Sequence, residues 1–180
     1  MQQGQIFNTK FNGELVIVKY DSYKSVTVKF LDTGYETTTT AVSIRLGSVK
    51  DKMKPTVYGL GFLGDGPFKG SEKGKHTKLY MLWLNMIKRC YSDNAQKRDV
   101  TYIGCSVDPS WFNFQTFCSD VLTLDGYEQW KAFSVGEINE VYQLDKDIKV
   151  AGNKIYGPSF CSFVTISENV SYAQNTRWNK

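Results

Sequence analysis

The amino-acid sequence predicts an α+β protein, in which a small β-barrel-like unit precedes a domain that mixes helices with a β-hairpin. Short β-branched runs fill the first 46 residues, one amphipathic segment covers 77–91, and strand-like runs return within 142–165. Strands followed by helices are typical of the α+β class. A length of 180 residues allows one domain or two small ones. We predict a β unit at 1–55, a connector at 56–76 and a second domain at 77–180.

The N-terminal unit is predicted from two β-branched runs, ELVIVKY (14–20) and SVTVKFL (25–31), which the turn DSYK separates. Val26, Val28 and Phe30 alternate with polar residues, a period that indicates one buried face. DTG (32–34) is a turn, and YETTTTAVSI is predicted as a third strand. Short strands at this spacing favour a small barrel. Its size and pattern resemble the Tudor/KOW-like barrels.

The connector is the glycine-rich stretch VYGLGFLGDGPFKGSEKGKH (57–76). Such a composition gives backbone freedom and opposes a helix. Because Lys69, Lys73 and Lys75 are interleaved with the glycines, the stretch is either a loop that grips phosphate or a plain interdomain loop.

The clearest helix is TKLYMLWLNMIKRCY (77–91), with Thr77 as its predicted N-cap. Its apolar stripe is predicted to face the core; the stripe consists of Tyr80, Trp83, Leu84, Ile87 and Tyr91. Lys78, Lys88 and Arg89 lie off this stripe. Lys88 and Arg89 either complement the helix dipole or contact nucleic acid.

The rest of the second domain is predicted in four pieces. TYIGCSV is a short strand, and DPSWFNFQTFCSDVL is one helix that begins with Asp108 as N-cap and Pro109 at its first position. Residues 125–141 are irregular with some strand. Residues 142–150 and 154–165 form a hairpin around the turn AGNK, and the polar tail after it is a short segment that could be helical.

Charge is distributed unevenly along the chain. Residues 1–49 carry 5 Lys/Arg and 4 Asp/Glu, residues 50–98 carry 11 and 4, and residues 99–180 carry 6 and 10. The basic middle segment is a candidate phosphate-binding surface. The alternative is a solvated, lysine-rich loop.

Cysteine spacing and hydropathy restrict the class of protein. Cys90, Cys105, Cys118 and Cys161 form no CxxC pair, so we expect buried free thiols and no structural zinc site. No apolar run approaches 18 residues, and the first residues have no signal-peptide layout. A cytoplasmic protein without a membrane partner is expected.

Three blocks carry a resemblance to a known family: LYMLWLNMIKRCY, then TYIGCSVDPSWFNFQTF, then QLDKDIKVAGNKIYGPSFCSFVTISEN. In order and spacing they resemble the bacteriophage HNH-type endonucleases and HNH-like DNA-binding proteins, over about half of the chain. The resemblance implies DNA cleavage with one divalent metal, a histidine as general base, and a carboxylate with a later histidine or asparagine as metal ligands.

The chain departs from the family at the positions that carry this chemistry. Lys146 stands where the general base belongs, and Phe160 stands where the orienting asparagine belongs. The only histidine is His76, far upstream. An ordinary lysine has a pKa of about 10.4, so we expect a cation at this position, flanked by Asp145 and Asp147. The scaffold is therefore predicted to be degenerate.

Three functions remain open from the sequence. The first is DNA binding without nuclease activity; its predicted contacts are Lys69, Lys73, Lys75, Lys78, Lys88, Arg89, Lys146 and Lys154. The second is an active endonuclease with His76, Asp145 and Lys146 as catalytic candidates, and with Mg²⁺ held by Asp145 and Asp147. The third is a phage factor that binds a host protein.

The two carboxylates also have an alternative without chemistry. Asp145 and Asp147 could cap the turn KVAGNK or pair with Lys146 and Lys149. No cofactor is expected unless the protein is catalytic, in which case Mg²⁺ is expected. If the protein is encoded by a phage, it acts in the cytoplasm of the bacterial host.

Overall fold

The structure is a computed structural model and describes residues 1–178. The fold is α+β, as the sequence predicts. The chain forms two compact units: unit 1 comprises Met1–Pro55 and Phe62–Asp65, and unit 2 comprises Thr56–Gly61 and Gly66–Lys180. The stretch predicted as a connector at 56–76 is thus divided between the two units.

Unit 1 is built on one antiparallel sheet in the order β1-β2-β3-β4. Its strands are β1 (Ile6–Asn8), β2 (Glu14–Ser22), β3 (Ser25–Phe30) and β4 (Glu36–Thr39). The predicted alternation in β3 is confirmed, since Val26, Val28 and Phe30 are fully buried. Among the described residues β1 does not pair with β4, so the sheet is open and a closed barrel is not confirmed.

The third predicted strand is too long. YETTTTAVSI contains β4 and then the short helix α1 (Ala41–Arg45). The side chain of Thr40 accepts a hydrogen bond from the backbone N–H of Ser43, at 3.1 Å, and so caps this helix. Ala41 and Ile44 pack into the core of the unit, and this burial outweighs the β propensity of the threonine run.

Unit 2 begins with a small hairpin, β5 (Ser71–Glu72) and β6 (Lys75–His76), and the long helix α2 (Lys78–Tyr91). The N-cap prediction is confirmed, because Oγ1 of Thr77 accepts from the N–H of Tyr80 at 3.2 Å. Trp83 and Ile87 are fully buried. Met86 and Cys90 share this buried face, whereas Tyr80 and Tyr91 lie at its partly exposed margins.

The middle of unit 2 differs from the prediction. The elements after α2 are α3 (Asp93–Arg98), a 3₁₀ turn at Val100–Tyr102, β7 (Ser106–Val107), a second 3₁₀ turn at Pro109–Phe112, α4 (Phe114–Val121) and α5 (Tyr127–Val135). Only the end of TYIGCSV is therefore strand. Asp108 caps the second 3₁₀ turn, and Asn113 caps α4 by accepting from the N–H of Gln115 at 2.9 Å.

Two further expectations are wrong in this region. The single helix predicted after Asp108 is divided in two, because Asn113 is extended and starts α4 as a new helix. The residues expected to be irregular contain α5, which lies between Gly126 and Gly136, both with positive φ. Tyr127 and Trp130 bury this helix against Phe163, contacts that the local sequence pattern does not reveal.

The C-terminal strands are β8 (Tyr142–Asp145), β9 (Ile155–Tyr156) and β10 (Ser162–Thr165), followed by α6 (Ile166–Trp178). β8 pairs antiparallel with β10, and Leu144 lies opposite Phe163. β9 instead pairs in parallel with β7. The predicted simple hairpin is therefore wrong at 154–156, where the chain joins a different sheet.

The core of unit 2 is aromatic and holds all four cysteines. Trp83 and Trp111 are fully buried, and Nε1 of Trp83 donates to the carbonyl oxygen of Trp111 at 2.7 Å. The predicted buried free thiols are confirmed. Within residues 1–178, no helix has both the length and the apolar character needed to cross a membrane.

Candidate anion-binding site

The site begins where β8 ends. Oδ2 of Asp145 accepts the backbone N–H groups of Asp147 and Ile148, each at 2.8 Å. The carboxylate therefore caps the backbone directly after the strand, at 147–148, and not the turn KVAGNK (149–154) that was predicted for it. Burial raises the pKa of the Asp145 carboxyl, although these two backbone hydrogen bonds oppose the rise.

Lys146 extends from this turn into the protein, and only 9 % of its side chain is exposed. Its ammonium nitrogen Nζ lies 3.3 Å from Oδ2 of Asp147 and 5.8 Å from the ring centroid of Tyr156. Asn153 holds the backbone of Lys146, because its Nδ2 donates to the carbonyl oxygens of Lys146 (2.6 Å) and Ile155 (2.7 Å). Lys146 is thus held by Asp147 at its side-chain nitrogen and by Asn153 at its backbone.

Two more cationic side chains, from other elements, line the same cavity as Lys146. Arg89, in the last turn of α2, holds its guanidinium carbon 5.4 Å from the ring centroid of Tyr102. Nζ of Lys154 donates to the carbonyl oxygen of Thr101 at 3.2 Å. Within the part of the chain that the structure describes, neither Arg89 nor Lys154 forms an ion pair with a carboxylate.

These groups line one cavity of about 370 Å³. Its charged residues are Arg89, Lys146 and Lys154, opposed by Asp145 and Asp147. The polar and aromatic part of the lining includes Thr101, Tyr102, Tyr156 and Asn169. Three cations against two carboxylates give a formal excess of one positive charge, so the cavity suits an anion.

The other predicted contacts lie outside this cavity. Lys73, Lys75 and His76 are exposed on the β5–β6 hairpin, where Lys73 and Gly74 both have positive φ, as a type I′ turn requires. Lys69 precedes this hairpin, and its Nζ lies 3.8 Å from Oε1 of Glu72. Lys78 and Lys88 are exposed on α2. Of the eight predicted contacts, Arg89, Lys146 and Lys154 therefore line the cavity, and the other five lie outside it.

His76 does not line the cavity that contains Asp145 and Lys146. Its ring stacks on that of Tyr80, with the centroids 4.7 Å apart. The three catalytic candidates of the endonuclease hypothesis are therefore not lining residues of one cavity.

The acidic groups predicted to hold Mg²⁺ have other contacts in the structure. Oδ2 of Asp145 already accepts two backbone N–H groups, and Oδ2 of Asp147 faces the ammonium group of Lys146. A divalent cation would compete with Lys146 for the same oxygen. Among the described residues, no group of three or more His, Cys, Asp or Glu side chains is placed to hold a metal ion.

Sequence reasoning missed several members of the site. Tyr102, Thr101 and Asn169 line the cavity without a sequence signal that would single them out. Its glycine-turn context predicts Asn153 as a plain turn residue, but its side chain also bonds the carbonyl oxygens of Lys146 and Ile155. An asparagine directly after glycine in a turn is the one signal that could have pointed to it.

Comparison with protein-family models, with curated proteins and with solved structures gives no match. The class of protein is therefore inferred from the site itself.

Proposed function

We propose that the protein is a phage-type nucleic-acid-binding protein on a degenerate HNH-like scaffold, that DNA is its partner, and that it has no nuclease activity. The observation that carries the proposal is the convergence of Arg89, Lys146 and Lys154 on one cavity. These residues come from α2, from the turn after β8 and from the residue before β9. We place its action in the cytoplasm of a bacterial host.

Phosphate is the anion that this arrangement fits best. Arg89 presents a planar fork of N–H donors, which matches two phosphate oxygens at once. Lys154 and Lys146 add point charges nearby. The exposed lysines of the β5–β6 hairpin, Lys73 and Lys75, supply further contacts to the sugar-phosphate backbone of DNA. Contacts of this kind give affinity and salt dependence without reading the base sequence.

The order of the C-terminal elements supports an HNH-like scaffold. In the segment that resembles the family, β8 and β10 pair antiparallel and α6 follows directly after them, while β9 between them pairs with β7. The ion pair of Lys146 with Asp147 supports the loss of catalysis, because a protonated amine has no lone pair with which to activate water. In unit 1, the irregular register between β2 and β3 supports a partial barrel of the Tudor/KOW-like kind.

Salt-dependent binding tests the proposal. Fluorescence anisotropy with labelled single-stranded and duplex DNA, over a KCl series, should give a linear log–log plot with a slope of about −0.7 to −0.9 per phosphate contact. Lys154→Ala should make the slope shallower by about one contact. Lys131→Ala is the matched control, since Lys131 lies on α5, outside the cavity, and pairs with Glu128. Binding that is absent at low salt, or insensitive to salt, contradicts the proposal.

The absence of nuclease activity needs its own measurement. The protein is incubated with plasmid and linear DNA in Mg²⁺, Mn²⁺ or EDTA, and the products are separated on denaturing gels. Intact DNA under all three conditions is expected. Metal-dependent cutting that His76→Ala or Asp145→Ala abolishes would establish the endonuclease alternative.

A further inference from the structure

We infer that the cavity lined by Arg89, Lys146 and Lys154 takes a single nucleotide by its phosphate monoester, at a DNA end or as a free mononucleotide. The inference rests on the proposed function and deepens it, because it names the chemical group that the site selects. An internal phosphodiester would then bind at the exposed hairpin and only weakly in the cavity.

The size of the cavity carries the first step. About 370 Å³ lies at the lower end of the range for small-molecule sites, roughly 300–1,000 Å³. A space of this size accepts one nucleotide and excludes a double helix. A continuous strand passing across the opening keeps its phosphates at the rim, where Lys154 is exposed, whereas a terminal phosphate can enter.

The second argument is the depth of one cation, Lys146, since Lys154 is exposed and Arg89 is half-buried. Lys146 is only 9 % exposed, so its ammonium group meets a ligand that enters the cavity and not one that rests on the surface. Tyr102 provides an aromatic wall on which a sugar or base can pack, whereas Tyr156 is nearly buried. Arg89 lies over Tyr102 and so joins the phosphate-binding and ring-binding parts of the lining.

Charge balance carries the third step. A phosphate monoester bears about −1.5 to −2 charges near pH 7, whereas a phosphodiester bears one. Lys146 is paired with Asp147, whereas the other two cations of the cavity can meet the two charges of a monoester. Arg89 and Lys154 have no carboxylate partner among the described residues, so both can pair with the ligand.

The experiment compares short single strands of one sequence that carry a 5′-phosphate, a 3′-phosphate or hydroxyls at both ends. Affinities are measured by anisotropy through an internal label, with deoxynucleoside monophosphates and inorganic phosphate as competitors. A phosphorylated end should bind about tenfold more tightly than a hydroxyl end, the ratio that one charge-assisted hydrogen bond provides.

Variants assign this preference to the cavity. Lys154→Ala should reduce the ratio to about one, because it removes a predicted phosphate contact. Arg89→Lys should lower the ratio, because a lysine lacks the bidentate fork of the guanidinium, whereas Lys131→Ala should leave it unchanged. Circular dichroism and thermal unfolding confirm that each variant is folded. A preference that survives in both cavity variants overturns the inference.

The outcomes of this experiment distinguish a failure of the monoester inference from a failure of the DNA-binding function on which it rests. Equal binding of all three strands, together with no competition by monophosphates, overturns the inference and leaves DNA binding in place. Binding of a free monophosphate without binding of any strand supports the monoester site and overturns DNA binding. Competition by inorganic phosphate alone, without discrimination between the strand ends, shows an adventitious anion site and overturns the inference. No binding in any arm overturns both.

Discussion

The ammonium nitrogen of Lys146 lies 3.3 Å from Oδ2 of Asp147, and both side chains line the same cavity. Lys146 is nearly buried, whereas the side chain of Asp147 is 33 % exposed. The pair therefore neutralises one of three cations at the place where an anion would bind. This relationship predicts that the acidic partner weakens the binding of phosphate.

Asp147→Asn should tighten DNA binding about fivefold, equivalent to about 1 kcal/mol, because it frees the charge of Lys146 for phosphate. The same change should lower the free energy of unfolding by about 1–2 kcal/mol, since a nearly buried ammonium loses its counter-charge. Anisotropy and urea denaturation measure the two effects. Glu137→Gln is the control, because Glu137 is exposed and outside the cavity. Weaker binding of Asp147→Asn would show that Asp147 helps the ligand.

Asn153→Ala should lower the free energy of unfolding by about 1–3 kcal/mol, because it removes two donated hydrogen bonds and leaves the carbonyl oxygen of Lys146 without this partner. It should also weaken DNA binding, since Lys146 is less well positioned. Asn139→Ala is the matched control, because Asn139 is exposed. Equal stability of the two variants in urea would contradict the role given to Asn153.

Gly126→Ala should be far more destabilising than Gly136→Ala, although both glycines flank α5 with φ near 80°. A Cβ on Gly126 would overlap the carbonyl oxygen of Phe163 and lie 3.0 Å from its Cβ, whereas a Cβ on Gly136 meets nothing within 4 Å. We expect a loss of about 2–5 kcal/mol at Gly126 and about 1–2 kcal/mol at Gly136. Thermal unfolding compares the two. Similar losses would mean that β10 lies farther from Gly126.

Wild type should gain stability relative to Asp145→Asn as the pH falls from neutral. Burial raises the pKa of Asp145 above its ordinary value of 3.8, so the native state holds this proton more tightly than the unfolded state. The gain develops as the pH falls through the folded pKa and ends below the unfolded pKa. Urea midpoints measured across this range test the sign. A wild-type advantage that shrinks on acidification would contradict it.

The thiols of Cys90, Cys118 and Cys161 should be nearly inert in the folded protein. Burial raises the pKa of each to about 12, so at pH 8 only about one thiol in ten thousand is ionised. Iodoacetamide labelling followed by mass spectrometry should be at least about a hundredfold slower in the native protein than in urea. Rapid native labelling at any of the three would show that its segment opens readily.

Local patterns predicted those elements whose signals are complete within a few residues. The period of β3 and the cap of α2 place each side chain relative to its own backbone, and the structure agrees. The α2 stripe is confirmed at Trp83 and Ile87, whereas Leu84 is not part of the core. Helix α5 was missed because its stability comes from Trp130 against Phe163, more than thirty residues away. β9 was assigned to the wrong partner for the same reason, since its pairing with β7 is set by distant packing.

The candidate site shows the same division. Sequence alone determined that the chain is α+β, that its middle is basic and that its cysteines are free thiols. Only the tertiary structure decided that Arg89, Lys146 and Lys154 share a cavity while Lys73, Lys75 and His76 lie on a separate hairpin. Residue identity determines which charges and hydrogen bonds are available. Which of them meet depends on long-range packing of helices and strands, which no local pattern encodes.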